Sequence, residues 1–371
     1  MRVVQISSAQ TLGGGERHLA DLANALAARG HEVYAAVRPN SPLPNELSDL
    51  KRENIVTLPL RNSLDVLSAR KLARLVRQNK IEIVHAHMAR DYPLAAYAVR
   101  RNPLAKLIVT RHVLFPLSRL HKITLSHAAR VVAVSEAVAR GLSAQGLTPR
   151  ERIVVIPNGI NIQRFDHARS QFDRAAFCRR WKIAEDRLLV GSVGEIKSLK
   201  GHEDFLHAAA IIVRRISNAH FLITGADTSR TREHRTALEE LVAKLGLANQ
   251  VHLFGWLDDI AEFYCALEVF VSASRTESFG LAIAEAMACA TPVVATETEG
   301  AKEIIENGET GLLVPVGGIE ALATAVTTLL EDGTMRQRTG ACAHQVVQER
   351  FSLERMVEAT EKIYRESLSA K

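Results

Sequence analysis

The chain has 371 residues, more than one hydrophobic core usually supports, so we expect two domains of ordinary size. Its formal net charge is +6, but only 5% of its residues are aromatic and they are not interleaved with the basic ones, which disfavours a nucleic-acid partner. No run of about 18 uncharged apolar residues occurs, which excludes a membrane-spanning helix.

Short β-branched runs alternate with helical patterns through the first half of the chain, as in parallel sheets with crossover helices. The first strand is followed by a glycine turn and by a helix that ends at Gly30, since glycine is common just after the last helical residue. The predicted strands of this half cover residues 3–7, 33–37, 81–85, 107–110, 131–134 and 153–156.

The alternation stops between residues 157 and 186, where a Pro-Asn-Gly sequence and a charged segment predict a linker. In the second half, the predicted strands cover 188–193, 220–224, 251–254, 269–272, 292–295 and 311–314, and the predicted helices cover 203–216, 232–245, 281–288, 319–330, 335–349 and 353–368. We therefore predict an α/β fold with two Rossmann-like, doubly wound domains, residues 1–165 and 166–352.

Cysteine usage and the start of the chain bear on the compartment. The four cysteines are far apart, without paired metal spacing or a disulfide framework, and we interpret them as small buried apolar residues: Cys178, Cys265, Cys289 and Cys342. The N-terminus passes from a short apolar run directly into polar and glycine residues, unlike a signal peptide. The sequence therefore predicts a cytoplasmic protein.

The loop after the first strand has three consecutive glycines, at residues 13–15, directly before a helix. Ligands bind at the carboxyl ends of parallel strands, where a helix N-terminus offers N–H groups to a phosphate. Gly14 and Gly15 are therefore candidates for contact with a phosphate. The turn does not match the dinucleotide pattern G-x-G-x-x-G, because residue 18 is histidine, and a purely structural turn explains it as well.

Two carboxylates in the second half are the more informative signal. Glu277 follows a predicted strand, and Glu285 lies about one and a half turns into the helix that starts near Gly280. Both can accept hydrogen bonds from sugar hydroxyls, while the amides of residues 278–281 face a phosphate. Alternatively, Glu277 serves the helix entry and Glu285 is a surface residue. The second alternative is weak for Glu285, because a carboxylate on a mostly apolar helix needs a partner.

Basic residues follow other predicted strands. The ammonium of Lys200 can neutralise a diphosphate leaving group, although a lone lysine is usually just solvated. His112 is a candidate contact to a reacting sugar, whereas His87 fits packing and function equally well. No Asp-x-Asp sequence occurs, so we predict no metal and no other cofactor.

The net charge is unevenly distributed along the chain. Residues 1–160 contain 23 basic and 11 acidic side chains, a net charge of +12, whereas residues 161–371 contain 24 and 30, a net charge of −6. The basic half favours an anionic partner, although a solvated basic surface explains the same counts.

An ordered set of motifs resembles the retaining glycosyltransferases of the GT-B fold, family 4 (glycosyl transferases group 1), over essentially the whole chain. The matching pieces are Gly-Gly-Gly-Glu at 13–16, Val-Ala-Val-Ser at 132–135, Ile-Pro-Asn-Gly-Ile-Asn at 156–161, Lys-Gly at 200–201, E-x7-E at 277–285, Thr-Pro-Val-Val-Ala at 291–295, Glu303 and Gly-Glu-Thr-Gly-Leu-Leu-Val at 308–314. The resemblance implies an acceptor-side first domain that faces a nucleotide-sugar donor domain across a cleft. It also implies that the last helix, within 353–371, packs back on the first domain.

The resemblance also implies roles for single residues. Glu285 binds the ribose, Glu277 holds hydroxyls of the donor sugar and Lys200 meets the diphosphate. The implied catalytic residues are His112, Lys200 and Glu277, and the implied donor-binding residues are Gly14, Gly15, Lys197, Trp256, Ser278, Phe279, Gly280, Leu281 and Glu285.

The chain departs from the family pattern at three positions. Glu195 stands where the family usually has arginine, so either Lys197 substitutes for that arginine or phosphate binding is weakened. Ala273 and Ala290 replace a usual proline and a usual glycine, and these two changes look tolerable.

The resemblance implies a metal-independent hexosyltransferase, retaining the anomeric configuration, with UDP chosen on family frequency. Its acceptor would be a glycan or lipid-linked molecule in cell-envelope or polysaccharide synthesis, such as lipopolysaccharide. The basic first domain then suggests peripheral contact with the inner face of an anionic membrane. Three alternatives stay open: a sugar-nucleotide epimerase of the same fold, an NAD-dependent oxidoreductase, which the missing glycine fingerprint disfavours, and a nucleotide-sugar-binding protein without catalysis.

Overall fold

Two separate parallel sheets organise the chain in the computed structural model, which describes residues 1–229, 231–257 and 259–369. The chain divides into unit 1, Met1–Gly159 with Leu353–Lys371, and unit 2, Ile160–Ser352. Helices cover the sheet of each unit, so the predicted α/β fold with two doubly wound domains is confirmed. None of the described helices is long and apolar enough to cross a bilayer.

Unit 1 is built on seven parallel strands. Its strands are β1 Arg2–Ser7, β2 Glu32–Val37, β3 Ile55–Thr57, β4 Ile83–Ala86, β5 Lys106–Arg111, β6 Ala128–Ala133 and β7 Ile153–Val155. Its first five helices are α1 Gly14–Ala28, α2 Val66–Gln78, α3 Tyr92–Arg100, α4 His121–Leu125 and α5 Glu136–Gln145. The sheet order is β3-β2-β1-β4-β5-β6-β7, so the chain reverses its direction across the sheet between β1 and β4.

Unit 2 has six parallel strands, β8 Leu188–Val193, β9 Ala219–Thr224, β10 Val251–Leu253, β11 Val269–Ser272, β12 Val293–Thr296 and β13 Leu312–Val314. Its helices are α6 Ile162–Gln171, α7 Arg174–Trp181, α8 His202–Ile212, α9 Glu233–Lys244, α10 Ile260–Ala266, α11 Leu281–Ala288, α12 Glu299–Ile304, α13 Ile319–Glu331 and α14 Gly333–Arg350. The sheet order β10-β9-β8-β11-β12-β13 puts the reversal between β8 and β11.

The last helix, α15 Leu353–Ser369, belongs to unit 1. It packs on α1, and its residues Met356, Val357 and Tyr364 are buried in the same apolar core as Leu19 and Leu22 of α1. These positions follow the three- and four-residue spacing of one helix face, which is why the amphipathic pattern of this segment predicts it well. Residues 370 and 371, which end the predicted segment, lie outside the described residues.

The linker predicted at residues 157–186 is wrong, because this stretch contains two helices of unit 2, α6 and α7. The side chains of Asn161 and Asp173 accept backbone N–H bonds as their N-caps. Ile162 and Phe165 of α6 are buried, and the helix packs on α10 and α11. Each helix has few buried apolar residues among many charges, so its periodicity is too weak to identify from sequence.

Three short elements also escape the sequence analysis: β3, α10 and α12. β3 is an edge strand of three residues, and the two helices have seven and six residues. A pattern this short does not distinguish a helix or a strand from a loop, because it covers at most about two turns or two alternations.

Gly201 is one of the glycines that allow close backbone packing in unit 2. Gly201 joins the short 3-10 helix Ser198–Lys200 to α8 and has a φ of +67°, in the left-handed region that favours glycine. A Cβ at this position would lie 1.9 Å from the carbonyl oxygen of Ala273, just after β11. The loops that follow β8 and β11 therefore touch through backbone atoms.

We expect Gly201→Ala to destabilise unit 2 more than Gly246→Ala. Gly246 has a similar φ of +70°, but nothing lies within 4 Å of the position of its Cβ. Both substitutions cost about 1–2 kcal/mol for the left-handed conformation, whereas Gly201→Ala adds about 1–3 kcal/mol of overpacking. Urea unfolding followed by the fluorescence of Trp181 and Trp256, both in unit 2, measures the free energy of unfolding. Equal losses in the two variants would contradict the close contact.

Candidate functional site

The predicted residues Lys200 and Glu277 meet at the point where the sheet of unit 2 reverses. Lys200 follows β8 and Glu277 follows β11, and these two strands are neighbours in the sheet. The ammonium of Lys200 donates to Oε1 of Glu277 at 2.5 Å, and the hydroxyl of Ser274 donates to the same oxygen at 2.8 Å. Such reversal points are where open parallel sheets bind ligands.

Glycines on both sides hold this pair in place. The aliphatic stem of Lys200 lies over Gly194, where a Cβ would come within 3.2 Å of Cδ of the lysine. The carbonyl of Glu277 accepts a hydrogen bond of 3.0 Å from the amide of Gly300 in α12. Sequence reasoning identified the charged residues but not these glycines, whose small size is needed only because of contacts distant in sequence.

The Lys200–Glu277 ion pair is only partly exposed to solvent. The side chains retain 25% and 15% of their accessible surface. Attraction between charges is stronger in such an environment than in bulk water, and each charge needs a partner of opposite sign. An anionic ligand can replace the carboxylate next to Lys200, and hydroxyl donors can replace the ammonium next to Glu277. The arrangement is therefore suited to a ligand that offers both a phosphate and hydroxyl groups.

Glu285 lies in the middle of α11 and is buried. The hydroxyl of Tyr264, a fully buried residue of α10, donates to its Oε2 at 2.9 Å. The alternative that Glu285 is a surface residue is therefore wrong, and the partner that its apolar helix required includes Tyr264. The sequence analysis missed Tyr264, which has no recognisable motif.

Glu195, the residue that departs from the family pattern, is bound on two sides. The ammonium of Lys197 and the hydroxyl of Thr228 both donate to its carboxylate. Burial acts to raise the pKa of Glu195, but these two hydrogen bonds and the charges of Lys197 and Lys200 together outweigh it, and the pKa is lowered. Lys197 is thus paired with the carboxylate that replaced the arginine, so the two side chains contribute little net charge together.

The remaining predicted donor-binding residues of unit 2 differ in whether their side chain or only their backbone is accessible to a ligand. The ring of Phe279 is buried and packs edge-to-face on Phe351 at 5.5 Å, so only its backbone is available to a ligand. Gly280 has a φ of +105° and is the N-cap of α11, whose first residue is Leu281. The first amides of a helix have no acceptor within it. Ser278 lies in the loop before α11, and Trp256 is half exposed in the loop after β10.

In unit 1, His112 lies against the glycine turn predicted to contact a phosphate. Gly14 and Gly15 begin α1, and a Cβ on Gly15 would lie 3.4 Å from Cδ2 of His112. The ring of His18, also in α1, packs edge-to-face on the His112 ring with their centroids 4.8 Å apart. The structure therefore brings together the predicted residues of unit 1 and adds His18, which the sequence analysis used only to exclude a motif.

A hydrogen-bond chain connects His112 to the interior of unit 1. Nε2 of His112 is 3.3 Å from Nδ1 of His87, and Nε2 of His87 is 2.8 Å from Oε1 of Gln5. The amide nitrogen of Gln5 donates to the hydroxyl of Tyr364 in α15 at 3.3 Å. With Gln5 oriented so, its carbonyl accepts from Nε2 of His87, and Nδ1 of His87 accepts from Nε2 of His112.

This chain joins His87 directly to the predicted site residue His112, and a functional role for His87 stays a prediction. His85, by contrast, bonds the hydroxyls of Tyr364 at 2.6 Å and Thr110 at 2.7 Å and is a structural residue. The sequence contained one overlooked signal, the polar Gln5 in the middle of an apolar strand.

Burial lowers the pKa of each histidine in this group. For His18 the pKa falls to about 4, and for His87 and His112 burial holds it well below its usual value, with a smaller effect from the neighbouring histidines. Neutral imidazoles are also the form that binds transition metals. One ring nitrogen from each of these three residues lies within 4.8 Å of the others, so this group, found among the residues that the structure describes, could hold an ion. Metal independence stays a prediction.

In the comparison with known proteins, each half of the chain matches a glycosyltransferase family model. The model of the family "Glycosyltransferase Family 4" matches residues 12–164, and that of "Glycosyl transferases group 1" matches residues 173–346. The chain is 26% identical to the N-acetyl-alpha-D-glucosaminyl L-malate synthase of Bacillus anthracis, over 97% of this chain and 96% of that protein.

Two further similarities concern envelope synthesis and the fold. The chain is 29% identical to the lipopolysaccharide core biosynthesis glycosyltransferase LpsE of Rhizobium meliloti, over 94% of each protein. A solved structure of Anabaena Alr3699/HepE, in complex with UDP and glucose, superposes with a TM-score of 0.87 at 20% identity, covering 99% of this chain and 100% of that one. At this identity the second similarity shows the fold alone.

We expect the ring signals of His18, His87 and His112 to remain those of neutral imidazole from about pH 8 to about pH 5.5, since burial lowers each pKa. Nuclear magnetic resonance of the labelled histidines, assigned with single His→Asn variants, measures this. A signal that titrates near the usual value of about 6.5 would contradict the buried arrangement.

The same histidines make the stability of unit 1 depend on pH. Because their pKa values are lower in the folded than in the unfolded chain, protons bind mainly on unfolding as the pH falls below about 6.5, and the free energy of unfolding decreases by up to about 1.4 kcal/mol per histidine and pH unit. Burial raises the pKa of Asp91 to about 6, so this carboxyl stabilises the folded chain as the pH falls. It is one group against three histidines. The urea concentration at the midpoint of unfolding should therefore decrease as the pH is lowered from about 7.5 to about 5.

Proposed function

The chain belongs to the family 4 glycosyltransferases of the GT-B fold, and we propose that it transfers a hexose-type sugar from a UDP-sugar to a glycan or lipid-linked acceptor of the cell envelope, with retention of the anomeric configuration. The matched family segments cover residues 12–159 of unit 1, without its last helix, and most of unit 2. The chain is a hexosyltransferase whose relatives include enzymes of lipopolysaccharide and capsular polysaccharide synthesis.

The observation that carries the proposal is the contact between Lys200 and Glu277 at the reversal point of the unit 2 sheet. A nucleotide sugar has both groups that this pair can bind, a diphosphate for the ammonium and sugar hydroxyls for the carboxylate. In the proposed complex the ammonium of Lys200 binds the diphosphate in place of Glu277, and the carboxylate of Glu277 binds the sugar hydroxyls in place of Lys200. Neither charge is then left buried without a partner.

The main catalytic task is to stabilise the diphosphate as it leaves the sugar. Negative charge increases on the bridging phosphate oxygen when the glycosyl bond breaks, and a fixed ammonium lowers the energy of that state more than that of the bound donor. Lys200 is the candidate for this role, supported by amides at the start of α11. The departing phosphate can then accept the proton of the acceptor hydroxyl. The oxygen of that hydroxyl bonds to the anomeric carbon on the same face of the sugar from which the phosphate departs.

The Glu195–Lys197 pair increases the dependence on Lys200. Lys197 was the candidate to replace the arginine of the family pattern, but its ammonium is bound to Glu195. The pair therefore adds little positive charge for a diphosphate. In the proposed mechanism Lys200 supplies most of the side-chain charge for the leaving group in unit 2.

His112 is proposed to hydrogen-bond the transferred sugar as a neutral ring. Its Nε2 donates to His87 in the orientation derived above, which leaves Nδ1 as an acceptor for a sugar hydroxyl. The lowered pKa supports this role, because a protonated ring would lose that acceptor. The glycine turn at Gly14 and Gly15 would meet the donor phosphate through its amides.

The choices of nucleotide and acceptor are supported by similar proteins. The Anabaena protein binds UDP and glucose, which supports UDP, and the Rhizobium relative acts in lipopolysaccharide core synthesis, which supports an envelope acceptor. The relatives described above are a lipopolysaccharide core glycosyltransferase and an N-acetyl-alpha-D-glucosaminyl L-malate synthase, and they do not favour the epimerase or the oxidoreductase.

We expect Lys200→Ala to lower turnover at saturating UDP-sugar by about 100- to 1000-fold, the cost of removing one donor to a developing negative charge. Glu285→Gln should instead raise the KM for the donor and leave turnover less affected, while glutamine can still accept the hydrogen bond from Tyr264. Lys244→Ala, which removes an exposed lysine of the same unit, is the control. Normal turnover in Lys200→Ala would overturn the proposed role.

We expect the protein to bind UDP more tightly than GDP or NAD, and to do so equally with and without EDTA. Calorimetric titration measures the three affinities, and Glu285→Gln should weaken the binding of UDP about tenfold through the lost charge-assisted bond to the ribose. Binding that EDTA abolishes would contradict metal independence, and binding of NAD alone would favour the oxidoreductase.

A further inference from the structure

Most of the positive charge of unit 1 comes from one continuous stretch. Residues 66–135 contain 13 Lys and Arg and 2 Asp and Glu, a net charge of +11. Both acidic side chains are engaged within unit 1. The carboxylate of Asp91 accepts from the amide of Ser8, and that of Glu82 accepts from the amide of Arg2, each at 2.8 Å.

The helices of this stretch form a single layer on unit 1. α2 packs along α3, and α3 packs on α4. Their crossovers run across the sheet in the opposite direction to the β1–α1–β2 crossover, so right-handed connections put them on the face opposite α1. The exposed basic residues of the layer are Arg70, Lys71, Arg74, Arg77, Lys80, Arg100, Arg101, Arg119 and Lys122. We call this surface the basic face.

Large apolar side chains are exposed at one end of this layer, in two groups. The groups are Leu64, Val66 and Leu67 around the start of α2, and Phe115, Leu120 and Ile123 between β5 and the middle of α4, with exposed fractions from 53% to 85%. The first group follows β3 and the second follows β5. Parallel strands end at the same edge, so both groups lie toward the edge of the sheet that also has His87 and His112.

This combination matches the surface of an anionic bilayer better than other anionic partners. Each Lys or Arg near anionic headgroups increases affinity about fivefold, and apolar side chains leave water when they enter the headgroup region. A nucleic acid or a soluble acidic polymer would neutralise the charges but leave the apolar groups in water, where they contribute nothing to binding.

We propose that unit 1 docks peripherally on an anionic lipid bilayer through the basic face, with Phe115, Leu120 and Ile123 entering the headgroup region. Phe115 is three residues from His112, so docking brings this part of unit 1 to the membrane surface. The docking itself does not depend on the proposed function. Only its biological purpose rests on that function, since a lipid-linked acceptor would be presented at the membrane surface.

The test is co-sedimentation of the full-length protein with vesicles of phosphatidylcholine mixed with phosphatidylglycerol, and with vesicles of phosphatidylcholine alone. We expect binding to the anionic vesicles only, and a decrease in binding when salt screens the basic side chains. The variant Arg70→Gln/Lys71→Gln/Arg74→Gln should lose about 100-fold in affinity, at about fivefold for each charge. Its control, Lys182→Gln/Lys244→Gln/Arg338→Gln, removes three exposed charges from unit 2 and should bind normally.

The apolar contribution is measured separately. Phe115→Ser/Leu120→Ser/Ile123→Ser should lower vesicle affinity at least about tenfold. Ile211→Ser/Val316→Ser, which removes exposed apolar side chains of unit 2, should not. Thermal unfolding verifies that each variant is folded, and the single substitutions Lys71→Gln and Phe115→Ser provide the same comparisons if a multiple variant unfolds.

Several outcomes would overturn the docking. These are no binding to either vesicle, equal binding to both, unchanged binding of the Arg70/Lys71/Arg74 variant, or capture by immobilised heparin without binding to vesicles. Turnover of a UDP-sugar without vesicles is measured in parallel. Its absence in the unaltered protein would overturn the proposed function and leave the vesicle result standing, whereas failed docking with normal donor turnover would remove only this inference.

Discussion

The site residues of this protein depend on a constraint of parallel sheets, the single reversal of strand order in each unit. On either side of the reversal the crossover helices go to opposite faces, so the loops at the carboxyl ends of the two central strands are left uncovered. In unit 2 these loops bring Lys200 to Glu277, and in unit 1 the ring of His18, in the helix after β1, lies with its centroid 5.6 Å from that of His87 after β4. The backbone contact between Gly201 and Ala273 then determines the separation of the unit 2 loops.

The two units differ in where their charged side chains lie. Unit 2 has paired charges at its reversal point, Lys200 with Glu277 and Lys197 with Glu195, which a phosphate-containing ligand can rearrange. Unit 1 has a buried network of neutral histidines around His112, and its positive charge is on the outer helices α2 to α4. The proposed chemistry and the proposed membrane contact therefore use different groups, and a substitution on the basic face leaves the buried network intact.

Much of the fold could be predicted from the sequence because its signals are local. The strands β8 and β11 and the helix α11 have the predicted boundaries, since a run of β-branched residues or an apolar helix followed by a loop is visible within a short window. The helices α6 and α7 could not be recognised in the same way. The few apolar residues of α6 become a packed face only against α10 and α11, which are roughly 100 and 120 residues further along the chain.

For the site, the sequence by itself determined which residues have suitable chemistry: Lys200, Glu277, Glu285 and His112 were all identified from their motifs and from their positions after predicted strands. Only the tertiary structure decided their partners. Tyr264 bonds Glu285, Lys197 is bound to Glu195, and Gln5 connects His87 to the last helix. These contacts join residues on separate elements, and a hydrogen bond forms only where folding brings a donor within about 3 Å of an acceptor, a distance that no local sequence pattern encodes.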